Sequence, residues 1–589
     1  MIVIKAESRA VVAEVCVAEG QEVPKGTILL ATELMKMRHD MRAPVSGIVR
    51  EIRIAAGQEL DAGDVLVVLE PAELGGPAEA SPDTSGPALG EFTARMAQLQ
   101  DAARPDAVAK RHAKGLRTAR ENIADLLDAG SFVEYGALAV AAQRSRRDLD
   151  ALHAQTPADG IICGTGTVAG RQVGVMAVDY TVLAGTQGYF HHKKMDRLIE
   201  VAGRDALPIV LFAEGGGGRP NDYDTEHLMA AGLNITSFRH FATHKGPKIG
   251  IAAGYCFAGN AALFGVCDLR IATQQSWIGM GGPAMIEGGG LGVFKPTEIG
   301  PPQVQVANGV IDHLAEDEAA AVAVAKTVLG LQAEAEPRQR DETALREAIP
   351  ADRIQAYDMR GVVETLADPE TFTEMRRGFG LGMITGFARI KGQAVGLLAN
   401  NPLHLGGAID AAAADKGARF LQLCDAWGLP VLTLCDTPGF MVGPEVEETG
   451  QVAHVSRLFL AGAHFQQAMV TVILRKGYGL GAMAMAGGGF DRPNYCCAWP
   501  TGEIGAMGIE GAVRLGHRAH LASIADPVAR EAEFQRLVDE MLARGKALNA
   551  ASFLEFDAVI DPAETRDVIA RAFAAACPAT PSGRYPDAW

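Results

Sequence analysis

The sequence predicts an α/β protein preceded by a small all-β domain. Three observations carry this: an internal repeat at an offset of 37 residues near the N-terminus, a second at an offset of 222 over much of the remainder, and a run rich in Pro, Gly and Ala between them. The length fits, because 589 residues exceed what one hydrophobic core serves at roughly 100–200 residues per domain.

Residues 1–70 alternate β-branched segments with glycine-containing turns, the pattern of short strands. Gly20-Gln21-Glu22 recurs as Gly57-Gln58-Glu59, Val12 as Val49, Gly26 as Gly63 and Leu29 as Leu66. Two similar β halves therefore pack as one domain. Between them lies Glu33-Leu34-Met35-Lys36-Met37, which puts Lys36 where a hairpin tip is expected. Residues 71–90 (PAELGGPAEASPDTSGPALG) have no apolar period and read as a flexible linker. At about 5–6 Å × √n its mean span is roughly 25 Å, enough for the first domain to swing.

In the larger region Gly170 recurs as Gly392, Val173-Gly174 as Val395-Gly396, Gly185 as Gly407, Lys194 as Lys416, Arg197 as Arg419 and Leu207-Pro208 as Leu429-Pro430. The same offset aligns Gly217 with Gly439 and Gly259 with Gly481. Apolar strand segments (172–178, 208–212, 248–252; 394–398, 430–434, 470–474) alternate with helical-period segments (191–202, 415–426), so each half is a strand, turn and helix series. The halves are taken as residues 91–350 and 351–589.

Composition narrows the function. A formal charge of −17 argues against general nucleic-acid or anionic-membrane binding, which needs basic surface. Nine cysteines without a CxxC pair signal neither a disulfide framework nor a zinc site, and no metal is expected. With no basic flank before an apolar core at the N-terminus, and no run of 18 apolar residues, the expectation is a soluble cytoplasmic chain.

The chemistry is expected in the backbone. Ala258-Gly259 and Leu480-Gly481 each follow an apolar strand and open a small-residue helical stretch. Such a turn points successive N–H groups outward, as a developing oxyanion requires; close packing alone would also call for the glycines. No P-loop is present, and Gly477–Ala482 lacks the last glycine of a dinucleotide fingerprint. Asp268 and Glu287 lie near the first turn without the spacing of an acid/base dyad.

Met35-Lys36-Met37 in a duplicated β domain resembles the biotinyl carrier domain, with Leu34 standing where the family's Ala-Met-Lys-Met has alanine. A lipoyl domain, the alternative, generally has Asp at the position of Met35. Residues 108–570 resemble the carboxyltransferase subunits of biotin-dependent acyl-CoA carboxylases. The segments that carry this are Arg111–Glu121, Gly130–Glu134, Thr385–Arg389, Asp436–Phe440, Ala498–Ile504, Met507–Ala512 and Val559–Arg566. Ile278–Gly290 departs from the propionyl-CoA type and looks more like the large single-chain acyl-CoA carboxylases, in which a biotinyl domain precedes the transferase halves.

The resemblance implies duplicated crotonase-type (ClpP/crotonase-like) domains behind a flattened-barrel biotinyl domain. It implies biotin on Lys36, attached by biotin protein ligase, and carboxyl transfer from biotin to the α-carbon of an acyl-CoA. ATP and Mg would act only on a separate biotin carboxylase subunit. Ala258 and Gly259 would serve the thioester and Leu480 and Gly481 the biotin ureido oxygen, whose ring nitrogen would take the α-proton. Met483 would line the acyl pocket, and a homo-hexameric core is implied. His191 and His192, beside Lys193 and Lys194, would meet CoA phosphates or form an ordinary solvated helix face. A decarboxylase or transcarboxylase subunit, or a 3-methylcrotonyl-CoA-type substrate, shares the site.

Overall fold

Eight short strands make up the first unit, Met1–Phe92: β1 (Ile2–Lys5), β2 (Ala10–Val15), β3 (Glu22–Val23), β4 (Ile28–Leu34), β5 (Met37–Arg42), β6 (Gly47–Ile52), β7 (Glu59–Leu60) and β8 (Val65–Pro71). The computed structural model describes residues 1–73, 87–220, 222, 224, 232–577 and 580–589. Two four-stranded sheets form, in the orders β1-β8-β6-β3 and β5-β4-β2-β7. Shifting each strand of one sheet by 37 residues gives its counterpart in the other, so the sequence repeat is a structural two-fold. Strand alternation sends Val12, Leu29, Val49, Leu66 and their neighbours into one shared core, and pairing two polar-backed sheets face to face is the way such short strands bury it. Of the expected linker, residues 74–86 lie outside the described residues; Pro71 ends β8, and Pro87–Gln98 is helical.

The second unit, Thr93–Trp589, holds two sheets. The first runs β15-β14-β13-β12-β11-β10-β9, from β9 (Val133–Tyr135), β10 (Ile161–Val168), β11 (Arg171–Val178), β12 (Ile209–Gly215), β13 (Lys248–Phe257), β14 (Leu269–Gly279) and β15 (His313–Ala315). The second runs β16-β17-β18-β19-β20-β21-β23, with β22 also pairing β20. Its strands are β16 (Thr373–Met375), β17 (Met383–Ile390), β18 (Gln393–Asn400), β19 (Val431–Thr437), β20 (Met469–Tyr478), β21 (Tyr495–Ala498), β22 (Glu503–Gly505) and β23 (Ala558–Val559). In each, an antiparallel hairpin (β10–β11, β17–β18) feeds a parallel series, whose strands are apolar on both faces because helices cover them. Helices Tyr189–Arg204 and Ala411–Trp427 fill the crossovers after β11 and β18, longer than the helical period alone marked out.

One core cluster crosses from half to half, joining Val210, Ile249 and Leu269 to Phe420, Trp427 and Leu429. Leu345 and Ile349, which a division at 350 assigns to the first half, pack with Met359, Val362 and Leu432 of the second. A buried charge cluster also ties the halves. The Asp312 carboxylate accepts from Arg270 Nε (3.3 Å), Arg376 Nε (2.8 Å) and Arg419 Nη1 (3.2 Å), and Arg419 reaches across to the Asp268 carbonyl at 2.7 Å. Burial alone would raise the Asp312 pKa; the guanidiniums, Arg419 foremost, outweigh it and hold the group far below the usual carboxylate range.

Replacing Asp312 by Asn leaves three guanidiniums in the interior without their shared counter-charge. Breaking a buried pair costs about 3–5 kcal/mol, so denaturant unfolding of Asp312→Asn is expected to show a loss of that order. An unchanged midpoint would mean that apolar packing alone joins the halves.

Candidate active site

Lys36 occupies a two-residue hairpin loop: Leu34 of β4 pairs with Met37 of β5, and the two residues between have φ of 51° (Met35) and 63° (Lys36). A type I′ turn needs positive φ at both central positions, which Gly or Asn supply without strain. Here a methionine and a lysine hold it, and the chain accepts that strain at its tip. Met35 is 90% and Met37 65% exposed, and the Lys36 ammonium has no ion pair or hydrogen bond among the described residues. An apolar collar thus surrounds a free amine, which is the geometry for covalent attachment of a flexible group.

In the second unit, β13 ends at Phe257 and a helix, Gly259–Gly265, begins after Ala258, whose φ is 50°. The first turn of a helix leaves its N–H groups without intrahelical acceptors. Among the described residues the amides of Gly259 and Asn260 have no acceptor, whereas the Ala258 amide donates to the Gly279 carbonyl at 3.1 Å. Ala258, expected as a donor, is therefore already committed to β14. The quasi-equivalent turn follows β20, where Gly479 (φ 57°) opens helix Gly479–Met485, and the amides of Leu480 and Gly481 have no acceptor among the described residues.

Strand register corrects the alignment of the two turns. Gly215 pairs with Cys256 and Thr437 with Gly477, so the offset is 222 between β12 and β19 but 221 between β13 and β20. Ala258 thus corresponds to Gly479, both at positive φ, and Gly259-Asn260 corresponds to Leu480-Gly481. The sequence offset hid a one-residue deletion between the strands.

What holds each turn is a close backbone approach. A Cβ on Gly217 would lie 2.9 Å from the Ala258 Cβ, and one on Gly481 would lie 2.7 Å from the Gly439 Cα. At the position of Gly481 the first half has Asn260, fully used: its Oδ1 accepts from Gln187 Nε2 (2.9 Å) and its Nδ2 donates to the carbonyls of Gly185, Glu214 and Gly216 at 2.7–3.0 Å. One side chain laces the glycine-rich loop to the helix.

A buried carboxylate sits beneath each loop. Glu214, at the end of β12, takes both forks of Arg111 (2.8 and 2.7 Å). Asp436, in β19, takes Arg475 at 3.1 and 3.0 Å, whose guanidinium lies 4.8 Å from the Tyr357 ring centre. Burial pushes Glu214 up to about 7, and Arg111 offsets only part of that. Sequence reasoning missed these pairs, although Arg111 and Asp436 both stood inside quoted motifs; only the fold brings their partners near.

Met483 is exposed and lines a cavity of about 870 Å³ with Phe490, Ile504, Phe553 and Leu554. His191 and His192 are buried, the latter bonded to Ser237 Oγ at 2.8 Å, and Lys194 donates to the carbonyls of Ala158 and Ile161. Burial lowers His192 to about 4 and holds His191 well below its usual range; of that cluster Lys193 alone is exposed. Asp268 is spent on Lys248 at 2.9 Å, and Glu287 is exposed.

A duplicated α/β scaffold presenting one pair of free amides in each half is the architecture of the crotonase-type fold. The chain belongs to the carboxyl transferase domain family, which it matches over residues 110–581, and residues 3–69 match the domain of biotin-requiring enzymes. It is 32% identical over 481 residues to the methylmalonyl-CoA carboxyltransferase 12S subunit of Propionibacterium freudenreichii subsp. shermanii, covering 79% of this chain and 89% of that one. It is 34% identical over 508 residues to the biotin-dependent long chain acyl-coenzyme A carboxylase beta4 subunit of Mycobacterium tuberculosis, covering 82% and 93%. Among solved structures, a single-chain, multi-domain long-chain acyl-CoA carboxylase aligns with a TM-score of 0.78 and 48% identity over 97% of this chain, which spans 56% of that carboxylase's length. The hexameric transcarboxylase 12S core aligns with a TM-score of 0.75 and 29% identity, covering 87% and 100%. The expected family, crotonase-type fold and biotinyl domain are all borne out.

The two turns differ in what a methyl group would strike. At Gly481 it meets fixed backbone of Gly439, at Gly259 the movable end of Gln187. Gly481→Ala is accordingly expected to lose about 1–3 kcal/mol of stability to overpacking, read by thermal unfolding, and Gly259→Ala distinctly less. Equal losses would show that the Gly439 contact is not what requires glycine.

Proposed function

We propose that the chain is the carboxyltransferase and biotin carrier component of an acyl-CoA carboxylase, moving a carboxyl group from biotin to the α-carbon of an acyl-CoA. The observation that carries this reading is one pair of free first-turn amides in each of two quasi-equivalent halves, on a chain whose other domain offers Lys36. Biotin, once attached through the Lys36 amine, supplies a ureido group that carries the carboxyl between sites. The exposed ammonium and its Met35 and Met37 collar suit that attachment and its recognition by biotin protein ligase.

The amides of Gly259 and Asn260 would receive the thioester oxygen as negative charge develops on it, and those of Leu480 and Gly481 the ureido oxygen. Preorganised donors of this kind contribute about 2.7–4 kcal/mol each. Neither pair has an acceptor to give up among the described residues. The long-chain relatives favour an apolar acyl group, and Met483 with Phe490, Phe553 and Leu554 forms a wall suited to one. The ATP- and Mg-dependent loading of biotin is assigned to a separate biotin carboxylase subunit, and a homo-hexameric core is adopted from the 12S neighbour. All nine cysteines are free, which fits the reducing cytoplasm.

The 12S relative keeps a second reading in view, carboxyl exchange between two acceptors without ATP. Both are tested with the biotinylated chain. ATP- and bicarbonate-dependent carboxylation of an acyl-CoA panel is expected when biotin carboxylase is added, and Lys36→Arg is expected to abolish it together with the biotin mass adduct. ATP-independent exchange in place of carboxylation would favour the second reading. An unmodified Lys36 in the active protein would overturn both.

A further inference from the structure

Behind the second amide pair lies a chain of hydrogen-bonded side chains. Tyr478 ends β20 and immediately precedes the turn, and its phenol donates to Glu503 Oε2 at 2.5 Å. Glu503 opens β22 and accepts twice from Arg353, from Nε at 3.1 Å and Nη2 at 3.3 Å. Arg353 Nη1 goes on to Glu510 Oε1 at 2.5 Å, on helix Ile509–Gly516. We propose that Tyr478, Glu503 and Arg353 are positioning residues for carboxyl transfer, which set the direction of the Leu480 and Gly481 amides. This rests on the function proposed above, in which that pair receives the ureido oxygen.

Tyr478 is 2% exposed and its ring packs with Ile509, Val513, Phe534 and Leu537 of the helices that follow β22. Packing therefore holds the ring, and the bond to Glu503 holds its tip. The chain of β22 runs beside the turn in register: Lys476 pairs with Glu503, Gly477 with Ile504 and Tyr478 with Gly505. One residue on, a Cβ on Gly479 would lie 2.6 Å from the Ala506 carbonyl oxygen. The turn thus leans on residues 503–506, and Glu503 anchors that wall to Tyr478. A hydrogen bond to an ionised acceptor is shorter and stronger than a neutral one. Burial, and then the Glu503 carboxylate, raise the Tyr478 pKa, so the phenol keeps its proton and remains the donor. Burial opposes the Arg353 charge, but Glu503 and Glu510 outweigh it and raise that pKa.

The first half holds its turn by other means. Strand register sets Tyr255 opposite Trp277 and Phe257 opposite Gly279, so Phe257 stands where the second half has Tyr478, Tyr255 where it has Lys476 and Trp277 where it has Glu503. Tyr255 stacks on Phe257 at 5.9 Å and lies 5.1 Å from Trp277, and Tyr255 and Trp277 wall a cavity of about 600 Å³. Rings hold that turn; a phenol, a carboxylate and a guanidinium hold the other. Hydrogen bonds constrain angle as well as distance, and donors aimed at a forming charge act by being fixed beforehand.

Three variants of the full chain test this. Tyr478→Phe removes one hydroxyl and leaves the ring, Glu503→Leu removes the acceptor, and Glu503→Gln keeps an oxygen that can accept from the phenol. Denaturant unfolding first establishes that each is folded. Carboxylation is then measured on the biotinylated chain with biotin carboxylase, and hydrogen–deuterium exchange is compared for peptides spanning residues 479–485 and 259–265. Tyr478→Phe and Glu503→Leu are expected to lower kcat about 10- to 100-fold, as misplacement of a reacting group does. Their acyl-CoA KM is expected to stay unchanged, the mark of an interaction made in the transition state, and exchange is expected to quicken in 479–485 but not in 259–265. Glu503→Gln is expected to stay near the unaltered protein in all of these. Unchanged kcat in both folded variants, or a raised KM at unchanged kcat, would overturn the proposal. The exchange comparison needs no turnover: quickened exchange in a chain that transfers no carboxyl would sink the proposed function and leave the hold of Tyr478 and Glu503 on the turn standing, whereas unchanged exchange would sink that hold alone.

Discussion

The close approach of a loop to the opening turn of a helix is the contact on which the second unit's site depends. In each half the chain leaving β12 or β19 must come into contact with the first helical turn after β13 or β20, near enough that a Cβ on Gly217 would lie 2.9 Å from the Ala258 Cβ and one on Gly481 would lie 2.7 Å from the Gly439 Cα. That contact fixes the turn in a conformation with positive φ at Ala258 or Gly479, and the two amides that follow, Gly259 and Asn260 or Leu480 and Gly481, have no acceptor among the described residues. Parallel strands supply the platform, because their C-terminal ends gather loops at one edge. The helices that cover the sheets and the buried carboxylates below the loops all hold that edge still.

The two halves reach this geometry by different means. The second uses bare backbone, Gly481 against Gly439; the first uses the Asn260 amide group as a brace across three carbonyls. Beneath them Glu214 draws its arginine from a helix far back in the chain, whereas Asp436 draws its own from the neighbouring strand. Duplication conserved the placement of charge and backbone, and the partners diverged around it. The same divergence leaves the first half with an aromatic cavity and the second with a wider apolar one around Met483.

Much of this was legible in the sequence, for reasons that also mark the limits. Glycines that must turn or admit backbone recur at fixed offsets, so both duplications and the succession of strands and helices along each half could be read directly, as could Lys36 at the junction of its two β halves. Side-chain identity said less. Ala258 looked like a donor because the 222 offset concealed a deleted residue, and only strand register, Cys256 opposite Gly215 and Gly477 opposite Thr437, exposed the shift. His191 and His192 looked like a charged helix start, yet the helix turns that face inward. Arg111 and Glu214 are 103 residues apart, a separation across which no local pattern pairs them.

The central claim is that backbone N–H groups, not side chains, do the chemistry. Its most direct test is to replace Leu480 with the corresponding α-hydroxy acid, which exchanges one N–H for an ester oxygen and keeps the side chain and the shape of the turn. Carboxyl transfer by the biotinylated, correctly folded protein is expected to fall about 100- to 1,000-fold, as the loss of one oxyanion donor does. Transfer at the rate of the unmodified protein would contradict the account.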